Sequence, residues 1–374
     1  MRAIQMVDLT TQYQRIKDEI DEAVLAVIRS GRYINGEAVG KLAAGLAAFT
    51  GSKHVIPCAN GTDALRIALQ ALDLQPGDEV IVPAFNYVAA AEAAALLRLI
   101  PVAVDVDPRT FNIDVNQIEK AISPKTKAVI PVHLFGQAAD MEPLMRIARR
   151  CNLFVIEDNA QSIGSVYTFS DGVQKQAGTI GDIGVLSFFP TKNLGCYGDG
   201  GALMTDDEAL GEKLRMITIH GQLQKYVHQM LGCNSRLDTL QAAVLQVKLA
   251  YLDNYIQSRR MLASRYDAGL KSMNDCFETP YCLPASTHVY NQYTLTVKGN
   301  RDGLRQYLKE RGIPATVYYP LPLHLQPAFK DKVRIAGDLS VSENLCRSAL
   351  SLPMHTEADE DQTQYIINQL IRYE

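Results

Sequence analysis

The chain has 374 residues and a formal net charge of −4 at pH 7, with 47% hydrophobic and 21% charged residues. This composition is typical of a globular protein with room for one large and one smaller domain, and it gives no electrostatic basis for binding nucleic acid. No apolar run approaches the ~20 residues that span a bilayer, and the first residues lack the apolar core of a signal peptide. We therefore expect a cytoplasmic protein without a membrane partner.

The predicted elements begin with two helices, because apolar residues recur at helical spacing over residues 16–28 and 38–49. Strands and helices then alternate. The predicted strands cover residues 55–58, 79–83, 102–105, 128–133, 153–157, 183–188 and 202–205. The helices between them cover residues 63–71, 88–97, 115–122 and 141–150. This alternation predicts an α/β fold with a mostly parallel sheet that helices cover on both faces.

The pattern becomes helical and mixed after residue 206. A helix is expected to open after Asn234, and a connecting helix is expected over residues 252–270. A strand at residues 293–297 and a helix at residues 302–309 follow. We therefore expect a large domain, residues 1–250, that includes the N-terminal helices, and a smaller C-terminal α+β domain, residues 251–374.

The seven cysteines are scattered along the chain without any C-x-x-C pair. Such spacing predicts neither a zinc site nor a disulfide framework. We therefore expect reduced thiols and no metal.

One lysine, Lys192, lies in a glycine-rich loop that follows the predicted strand at residues 183–188. Glycines let the backbone turn sharply and let a ligand approach closely. A lysine that is desolvated in such a loop can lose its proton and bind an aldehyde covalently. A solvated surface charge is the commoner role of a lysine, so the loop alone does not decide between the two.

Two carboxylates, Glu157 and Asp158, come at the end of a buried strand. Ligands collect at the carboxyl ends of strands in open parallel sheets. A pyridoxal phosphate enzyme needs an aspartate against the pyridine nitrogen so that the ring can act as an electron sink, and Asp158 is placed for that role. The structural alternative is that Asp158 caps a helix.

A third segment, Gly61-Thr62-Asp63, follows the predicted strand at residues 55–58 and opens a helix. Helix N-termini offer unpaired N–H groups and the positive end of a dipole, which suit a phosphate. Simple capping is again the alternative. The three segments together supply an amine, an acid and an anion site, and this combination favours one pyridoxal phosphate site over three separate structural roles. His133, at the end of another predicted strand, either lines that site or is hydrogen-bonded in the core.

These motifs occur in a fixed order over nearly the whole chain. They read Gly-Thr-Asp-Ala-Leu from residue 61, Pro-Ala-Phe-Asn-Tyr-Val-Ala from 83, Glu-Asp-Asn-Ala-Gln-Ser from 157, Ser-Phe-Phe-Pro-Thr-Lys from 187 and Gly-Asp-Gly-Gly from 198. The chain thereby resembles the DegT/DnrJ/EryC1/StrS family of sugar aminotransferases. The resemblance implies the aspartate aminotransferase-like fold (pyridoxal phosphate-dependent transferase fold type I), pyridoxal 5′-phosphate as cofactor, and a nucleotide-linked keto sugar and an amino-acid donor as partners.

The resemblance also implies roles for single residues. Lys192 holds the cofactor and acts as acid and base, and Asp158 faces the ring nitrogen. Gln161 hydrogen-bonds the ring hydroxyl, and Tyr87 stacks on the ring unless it packs as helix core. The residues expected at the phosphate are Gly61, Thr62, Ser187 and Asn234.

Asn234 is expected to reach the phosphate of a second subunit, which implies a homodimer. Helix capping is the alternative for Asn234. The wording Asn-Ser-Arg-Leu-Asp-Thr-Leu-Gln-Ala from residue 234 resembles family members that aminate C3 of the sugar. Arg236 is then a candidate for an anionic part of the substrate, or equally an exposed arginine. Tyr318 and Tyr319 are expected to contact the hexose, although many relatives have His-Tyr-Pro where this chain has Tyr-Tyr-Pro.

The expected reaction is amino transfer from L-glutamate to the C3 keto group of UDP-2-acetamido-2-deoxy-3-keto-glucuronate, in the synthesis of surface lipopolysaccharide O-antigen. A dTDP-3-keto-6-deoxyhexose 3-aminotransferase and a C4 aminotransferase are the alternatives within the same chemistry. A sugar dehydratase on this fold would have histidine in place of Lys192. A catalytically silent regulator would be expected to lose Lys192 or Asp158.

Overall fold

The fold is known from a computed structural model that describes residues 2–373. Its helices, in chain order, are α1 (Leu9–Arg15), α2 (Lys17–Ser30), α3 (Glu37–Thr50), α4 (Gly61–Ala71), α5 (Ala89–Leu96), α6 (Val115–Ala121), α7 (Met141–Arg150), α8 (Glu208–Thr218), α9 (Thr239–Ala250), α10 (Leu252–Leu270), α11 (Arg301–Glu310), α12 (Ser340–Ser348) and α13 (Glu360–Ile371).

The strands are β1 (His54–Cys58), β2 (Glu79–Pro83), β3 (Ile100–Val104), β4 (Thr126–Val129), β5 (Phe154–Asp158), β6 (Val166–Thr168), β7 (Gln174–Gln176), β8 (Ile183–Ser187), β9 (Gly201–Thr205), β10 (Gln222–Gln224), β11 (Val227–His228), β12 (Phe277–Glu278), β13 (Tyr293–Val297), β14 (Arg334–Ile335) and β15 (Ala349–Leu352).

An eight-stranded sheet lies at the centre of the molecule, in the order β1-β9-β8-β5-β4-β2-β3-β14. Strands β8, β5, β4, β2, β3 and β14 run parallel to one another. Strand β9 runs antiparallel to both β1 and β8, so β1 and β8 point the same way. The carboxyl ends of β1, β8, β5 and β2 therefore all lie at one edge of the sheet. This arrangement confirms the predicted mostly parallel α/β sheet.

Helices cover both faces of the sheet, as alternate residues of one strand show. Val80 and Val82 of β2 pack in a core with helices α4 and α5, whereas Ile81 packs in a second core with α6 and α7. All five residues of β2 are buried. A strand buried on both faces needs an unbroken apolar run, which is the pattern that this part of the sequence has.

One predicted strand is shorter than the sequence indicates. The pattern predicts a strand over residues 128–133, but β4 ends at Val129. Pro131 has no N–H to give to a neighbouring strand, so regular pairing stops there. The backbone nevertheless continues beside β5, because the Asp158 amide donates to the Pro131 carbonyl (2.9 Å) and the His133 amide donates to the Asp158 carbonyl (3.0 Å). His133 thus lies in a loop that runs next to Asp158.

The C-terminal part has its own antiparallel sheet, in the order β12-β13-β15, and its own core with α10, α11 and α13. Strand β14 leaves this part and pairs in parallel with β3 at the edge of the large sheet. The division into domains at residues 250 and 251 stays a prediction. Within residues 2–373, no helix combines the length and apolar character that crossing a membrane needs.

An ion pair between buried Glu79 and partly exposed Arg334 fixes β14 to the large sheet. The Arg334 guanidinium donates to the Glu79 carboxylate (2.9 Å), which also accepts from Ser123 (2.6 Å) and Thr126 (2.9 Å). Burial by itself raises the pKa of Glu79, but the three hydrogen bonds outweigh it and hold the pKa below its usual value. Glu79 is therefore ionised and paired at neutral pH.

We predict that Glu79→Gln lowers the free energy of unfolding by about 2 kcal/mol at pH 7, because it leaves the Arg334 charge without its partner. Since the folded pKa is below the unfolded value of 4.5, this stabilisation is present above pH 4.5 and is lost as the pH falls through the folded pKa. Urea denaturation at several pH values measures both effects. Glu278→Gln removes an exposed ion pair with Lys298 and is the control, with an expected change within about 0.5 kcal/mol. Equal effects of the two substitutions would contradict the prediction.

Candidate active site

The candidate site lies where the carboxyl ends of the parallel strands meet. Gly201, the first residue of β9, pairs with Cys58 at the end of β1 and with Ser187 at the end of β8. Asp158, at the end of β5, pairs with Val185 of β8. The pairing therefore brings together the three segments that the sequence singles out: the start of α4, Asp158, and the loop that carries Lys192.

The start of helix α4 forms a narrow cradle against β8 and β9. The helix begins at Gly61, and the Asn60 side chain caps it by accepting from the Asp63 amide (2.8 Å). A Cβ on Gly61 would lie 2.8 Å from the Ser187 Cβ, and one on Gly201 would lie 2.5 Å from the Asn60 carbonyl carbon. Only glycine fits either position. The backbone amides of Gly61 and Thr62 lie in the first turn, where N–H groups have no partner within a helix, so the cradle suits a phosphate.

Asp158 is a buried carboxylate whose surroundings disfavour its charge. It accepts a hydrogen bond from the Ala160 amide (3.1 Å). Burial raises the pKa of Asp158, while the hydrogen bond from the Ala160 amide and the positive charge of Lys192 act against that rise. A protonated pyridine nitrogen placed against this carboxylate would stabilise its negative charge further.

Lys192 lies in the loop between β8 and β9, and its amide donates to the Phe189 carbonyl (2.9 Å). Burial lowers the pKa of the Lys192 amine, and the negative charge of Asp158 acts in the opposite direction. A lowered pKa increases the fraction of neutral amine, which is the nucleophilic form. The loop therefore presents an amine suited to attack an aldehyde, within electrostatic reach of Asp158.

Gln161 is held in a fixed orientation next to Asp158. Its Oε1 accepts from the Phe135 amide (2.7 Å), which fixes Nε2 as the donor end of the amide. One N–H of Nε2 donates to the Tyr319 hydroxyl (3.2 Å). The Tyr319 ring in turn lies 6.2 Å, centroid to centroid, from the ring of Tyr87, whose side chain is 59% exposed. The structure thus places Tyr319 beside Gln161, the residue expected to bind the cofactor. Tyr318 is half-buried beside it, with ring centroids 5.8 Å apart.

The segment with Asn234 and Arg236 adjoins the phosphate cradle. Ser235, which is fully buried, accepts a hydrogen bond from the Ala59 amide (3.1 Å) just before α4. Asn234 itself is exposed. It does not cap α9, because that helix begins at Thr239 and its N-cap residue is Asp238. The Arg236 Nε is buried and has no hydrogen-bond partner among residues 2–373. An arginine donor in that condition is suited to an anionic ligand.

Sequence reasoning assigned no role to Glu157, which the structure places at the centre of a buried network. Its carboxylate accepts from the amides of Ile180 and Gly181 (both 2.6 Å) and lies 2.8 Å from the His133 Nε2. Burial raises the pKa of Glu157, but His133 and the backbone amides outweigh it and lower the pKa overall. The Ala139 amide donates to the His133 Nδ1 (3.1 Å), so Nε2 carries the proton that bonds Glu157. His133 is therefore a core residue that fixes the backbone beside Asp158. The one feature of the sequence that pointed to the role of Glu157 was its position as a second acid next to Asp158.

An anion cradle, a buried acid and a buried amine at one edge of the sheet fit pyridoxal phosphate, which has a phosphate, a ring nitrogen and an aldehyde. The fold and this set of residues define a pyridoxal phosphate-dependent transferase of fold type I. The model of the DegT/DnrJ/EryC1/StrS aminotransferase family matches residues 14–371. The chain belongs to this family, and it is a pyridoxal phosphate-dependent sugar aminotransferase.

Three relatives show the range of named functions in the family. The chain is 48% identical to a "Pleiotropic regulatory protein" of Geobacillus stearothermophilus, over 99% of this chain and 98% of that one. It is 46% identical to the UDP-2-acetamido-2-deoxy-3-oxo-D-glucuronate aminotransferase of Pseudomonas aeruginosa, over 95% and 96% of the two chains. It is 38% identical to a dTDP-3-amino-3,4,6-trideoxy-alpha-D-glucose transaminase of Streptomyces venezuelae, over 98% and 94%.

Solved structures confirm the fold and the cofactor. A DegT/DnrJ/EryC1/StrS aminotransferase from Brucella abortus superposes with a TM-score of 0.93 at 42% identity, over 98% of both chains. The NtdA protein of Bacillus subtilis, solved with bound cofactor PMP (pyridoxamine phosphate), superposes with a TM-score of 0.87 at 33% identity, over 95% of this chain and 81% of that one. The predictions of fold type I and of a pyridoxal phosphate cofactor are therefore confirmed.

We predict that Gly61→Ala weakens the binding of pyridoxal phosphate to the apoenzyme by roughly tenfold or more, because the new methyl group would force α4 away from Ser187. Fluorescence titration of the apoenzyme with the cofactor measures the affinity. Gly40→Ala is the matched control, since it lies within α3 and a Cβ there meets nothing within 4 Å. Unchanged cofactor affinity in Gly61→Ala would show that the phosphate binds elsewhere.

Proposed function

We propose that this enzyme transfers the amino group of L-glutamate to the C3 keto group of UDP-2-acetamido-2-deoxy-3-keto-glucuronate. The observation that carries this proposal is the relative from Pseudomonas aeruginosa, named for that 3-oxo sugar, at 46% identity over nearly the full length of both chains. The Asn-Ser-Arg-Leu-Asp-Thr-Leu-Gln-Ala segment from residue 234 supports C3 as the position of amination.

Lys192 is the group that we propose to move the proton. Pyridoxal phosphate, when bound, supplies an electron sink that stabilises negative charge on the carbon next to the transferred nitrogen. The Lys192 amine, with its lowered pKa, takes a proton from that carbon of the donor and returns one on the cofactor side. Asp158 holds the ring nitrogen protonated, and because Asp158 is buried its charge is little screened by water.

The other site residues orient the cofactor. Gly61, Thr62 and Ser187 are proposed to bind its phosphate at the cradle, and the second N–H of Gln161 Nε2 is proposed to donate to its ring hydroxyl. Tyr87 follows β2 by four residues and is 59% exposed, so it does not pack as helix core, and we propose that the cofactor ring stacks on it. Binding of the phosphate and of the ring hydroxyl by different elements would fix the orientation of the cofactor relative to Lys192.

The substrate end of the site contains one buried donor without a partner. The Arg236 Nε has no hydrogen bond among residues 2–373, and it follows the segment that Ser235 fixes to the start of α4. A glucuronate carboxylate or a nucleotide diphosphate would satisfy it. Tyr318 replaces the histidine of many relatives and has a raised pKa through burial, so it offers a neutral hydroxyl to the sugar.

The functional unit that we propose is a homodimer in which Asn234 acts on the phosphate bound by the partner subunit. Next to Asn234, the hairpin of β10 and β11 exposes large apolar side chains. Tyr226 is 82% exposed and Leu231 is 88% exposed, and Leu223 and Val227 are about half exposed. Clustered apolar exposure of this kind is typical of an interface between subunits.

Two alternatives are supported by particular relatives. The dTDP-sugar transaminase of Streptomyces venezuelae keeps a dTDP-3-keto-6-deoxyhexose open as the substrate. The "Pleiotropic regulatory protein" raises a regulatory role, but a silent regulator would be expected to lose the amine or the acid, and both Lys192 and Asp158 are present here. A C4 aminotransferase stays a third alternative within the same chemistry.

We predict that L-glutamate alone converts the bound cofactor to its amine form, with loss of the visible absorption band of the lysine-bound aldehyde. Adding UDP-2-acetamido-2-deoxy-3-keto-glucuronate should restore that band, and a dTDP-linked 3-keto-6-deoxyhexose should not. Restoration by the dTDP sugar alone would leave the chemistry in place and overturn the proposed substrate. No change with glutamate would overturn the proposed donor. Lys192→Ala, the matched variant, should bind the cofactor without the lysine-bound band and should not turn over.

We predict that mixed dimers of Lys192→Ala and Asn234→Ala recover activity that neither variant has by itself. If Asn234 acts across the dimer, each hybrid contains one intact site, so random mixing restores about a quarter of the wild-type sites. If Asn234 acts within its own subunit, no hybrid contains an intact site. Activity assays after unfolding and refolding an equal mixture measure the outcome, and the separately refolded variants are the controls. Absence of recovery in hybrids whose formation is confirmed by mass spectrometry would contradict the trans assignment.

A further inference from the structure

Lys248 is the most deeply buried lysine side chain near the candidate site, and nothing assigned to the reaction so far uses it. It lies on α9 and is 1% exposed. Its Nζ donates to the Gly195 carbonyl (2.8 Å) and lies 4.5 Å from the centroid of the Tyr197 ring. Both groups are formally neutral, so the ammonium is stabilised by a carbonyl dipole and an aromatic face. Burying a charge in this way is costly, and lysine is rarely found so deep.

The contact leads directly to the backbone of Lys192. A Cβ on Gly195 would lie 2.4 Å from the Pro190 carbonyl oxygen and 2.9 Å from that of Phe189, so Gly195 is pressed against the two residues before the lysine turn. The Phe189 carbonyl is the acceptor for the Lys192 amide (2.9 Å). Lys248 therefore holds the loop at Gly195, which packs against the same residues, Phe189 and Pro190, that lead into the turn of Lys192.

A second residue of α9 holds the same loop. The Gln241 Oε1 accepts from the Tyr197 amide (2.8 Å), and its Nε2 donates to the Tyr197 carbonyl (3.2 Å). Gln241 and Lys248 are seven residues apart, which places them on one face of the helix two turns from each other. Two anchors on one rigid helix fix the loop at both Gly195 and Tyr197.

We propose that Lys248, together with Gln241, forms a clamp on α9 that positions the Lys192 loop for the amine to meet the cofactor aldehyde. Lys248 is in this view a positioning residue, because it touches the loop and not the reacting atoms. The proposal rests on the proposed attachment of the cofactor at Lys192. A lysine suits the task, since its long side chain spans the distance from the helix and its charge strengthens the bond to a carbonyl.

The Lys248 amine keeps most of its positive charge at pH 7 although burial disfavours it. Burial lowers the pKa of Lys248 to about 8. Cys196 has its own pKa raised to about 11 by burial, and its thiol donates to the Phe188 carbonyl (3.0 Å). The Tyr197 pKa is raised to about 12, and its ring lies 6.2 Å from that of Tyr13. These neighbours are therefore neutral at pH 7, and Lys248 carries the charge of the cluster.

The test uses the full-length enzyme with Lys248→Met, which keeps the apolar stem and removes the donor and the charge. We expect the fraction of bound cofactor that borohydride fixes to the Lys192 peptide to fall. We also expect kcat to fall roughly tenfold to a hundredfold with little change in KM, because the amine is misplaced while substrate binding is not. Hydrogen exchange should accelerate at residues 189–200 and not in the C-terminal sheet. Lys248→Arg, which restores a charged donor, should recover part of the attachment.

Three further variants make the outcomes distinct. Lys213→Met removes a surface lysine that pairs with Asp73 and should behave as the wild type. Gln241→Ala should show a smaller effect of the same kind, and it decides the matter if Lys248→Met fails to fold. Wild-type attachment and kcat in Lys248→Met, or in Gln241→Ala in that case, would overturn the clamp. Retention of the fixed cofactor in Lys192→Ala would instead overturn the proposed function on which the clamp rests.

Discussion

The close packing of helix α4 against the ends of β8 and β9 is the constraint on which the site depends. Gly61 and Gly201 have no room for a side chain, so three backbone segments meet at distances that only glycine allows. This contact turns the first amides of α4 toward the edge where Asp158 and the Lys192 loop also end. The positions of the acid, the amine and the anion cradle therefore depend on the backbone contact between α4 and the ends of β8 and β9.

Two opposite electrostatic effects act at that meeting point. Burial makes the negative charge of Asp158 and the positive charge of Lys192 unfavourable, and each charge partly stabilises the other. A cofactor with a ring nitrogen and an aldehyde uses both groups, since it gives Asp158 a cationic partner and consumes the neutral amine of Lys192. Burial, which disfavours the charges of Asp158 and Lys192, therefore favours binding of a cofactor that pairs with the first charge and reacts with the neutral form of the second group.

The sequence predicted most of the sheet because its strands are buried on both faces. Strand β2 has the predicted bounds, and all its residues are buried. Helices α7 and α10 also have the predicted bounds, because their apolar residues recur at helical spacing. The meeting of the segments of Gly61, Asp158 and Lys192 was also predicted, because the carboxyl ends of parallel strands lie at one edge of a sheet. The network around Glu157 was not, because a buried carboxylate that accepts backbone amides has no pattern along the chain. Nor could the contact of Tyr319 with Gln161 be predicted, since the two residues are 158 positions apart.

Strand β14 has a consequence for how the chain is made. It is the outermost strand beside β3, and it comes from residues 334 and 335, long after the rest of the large sheet. Until those residues leave the ribosome, the edge of β3 has unpaired N–H and C=O groups with which a strand of another chain can pair. A nascent or truncated chain is therefore exposed to aggregation at that edge, and the C-terminal part protects the edge of the large sheet.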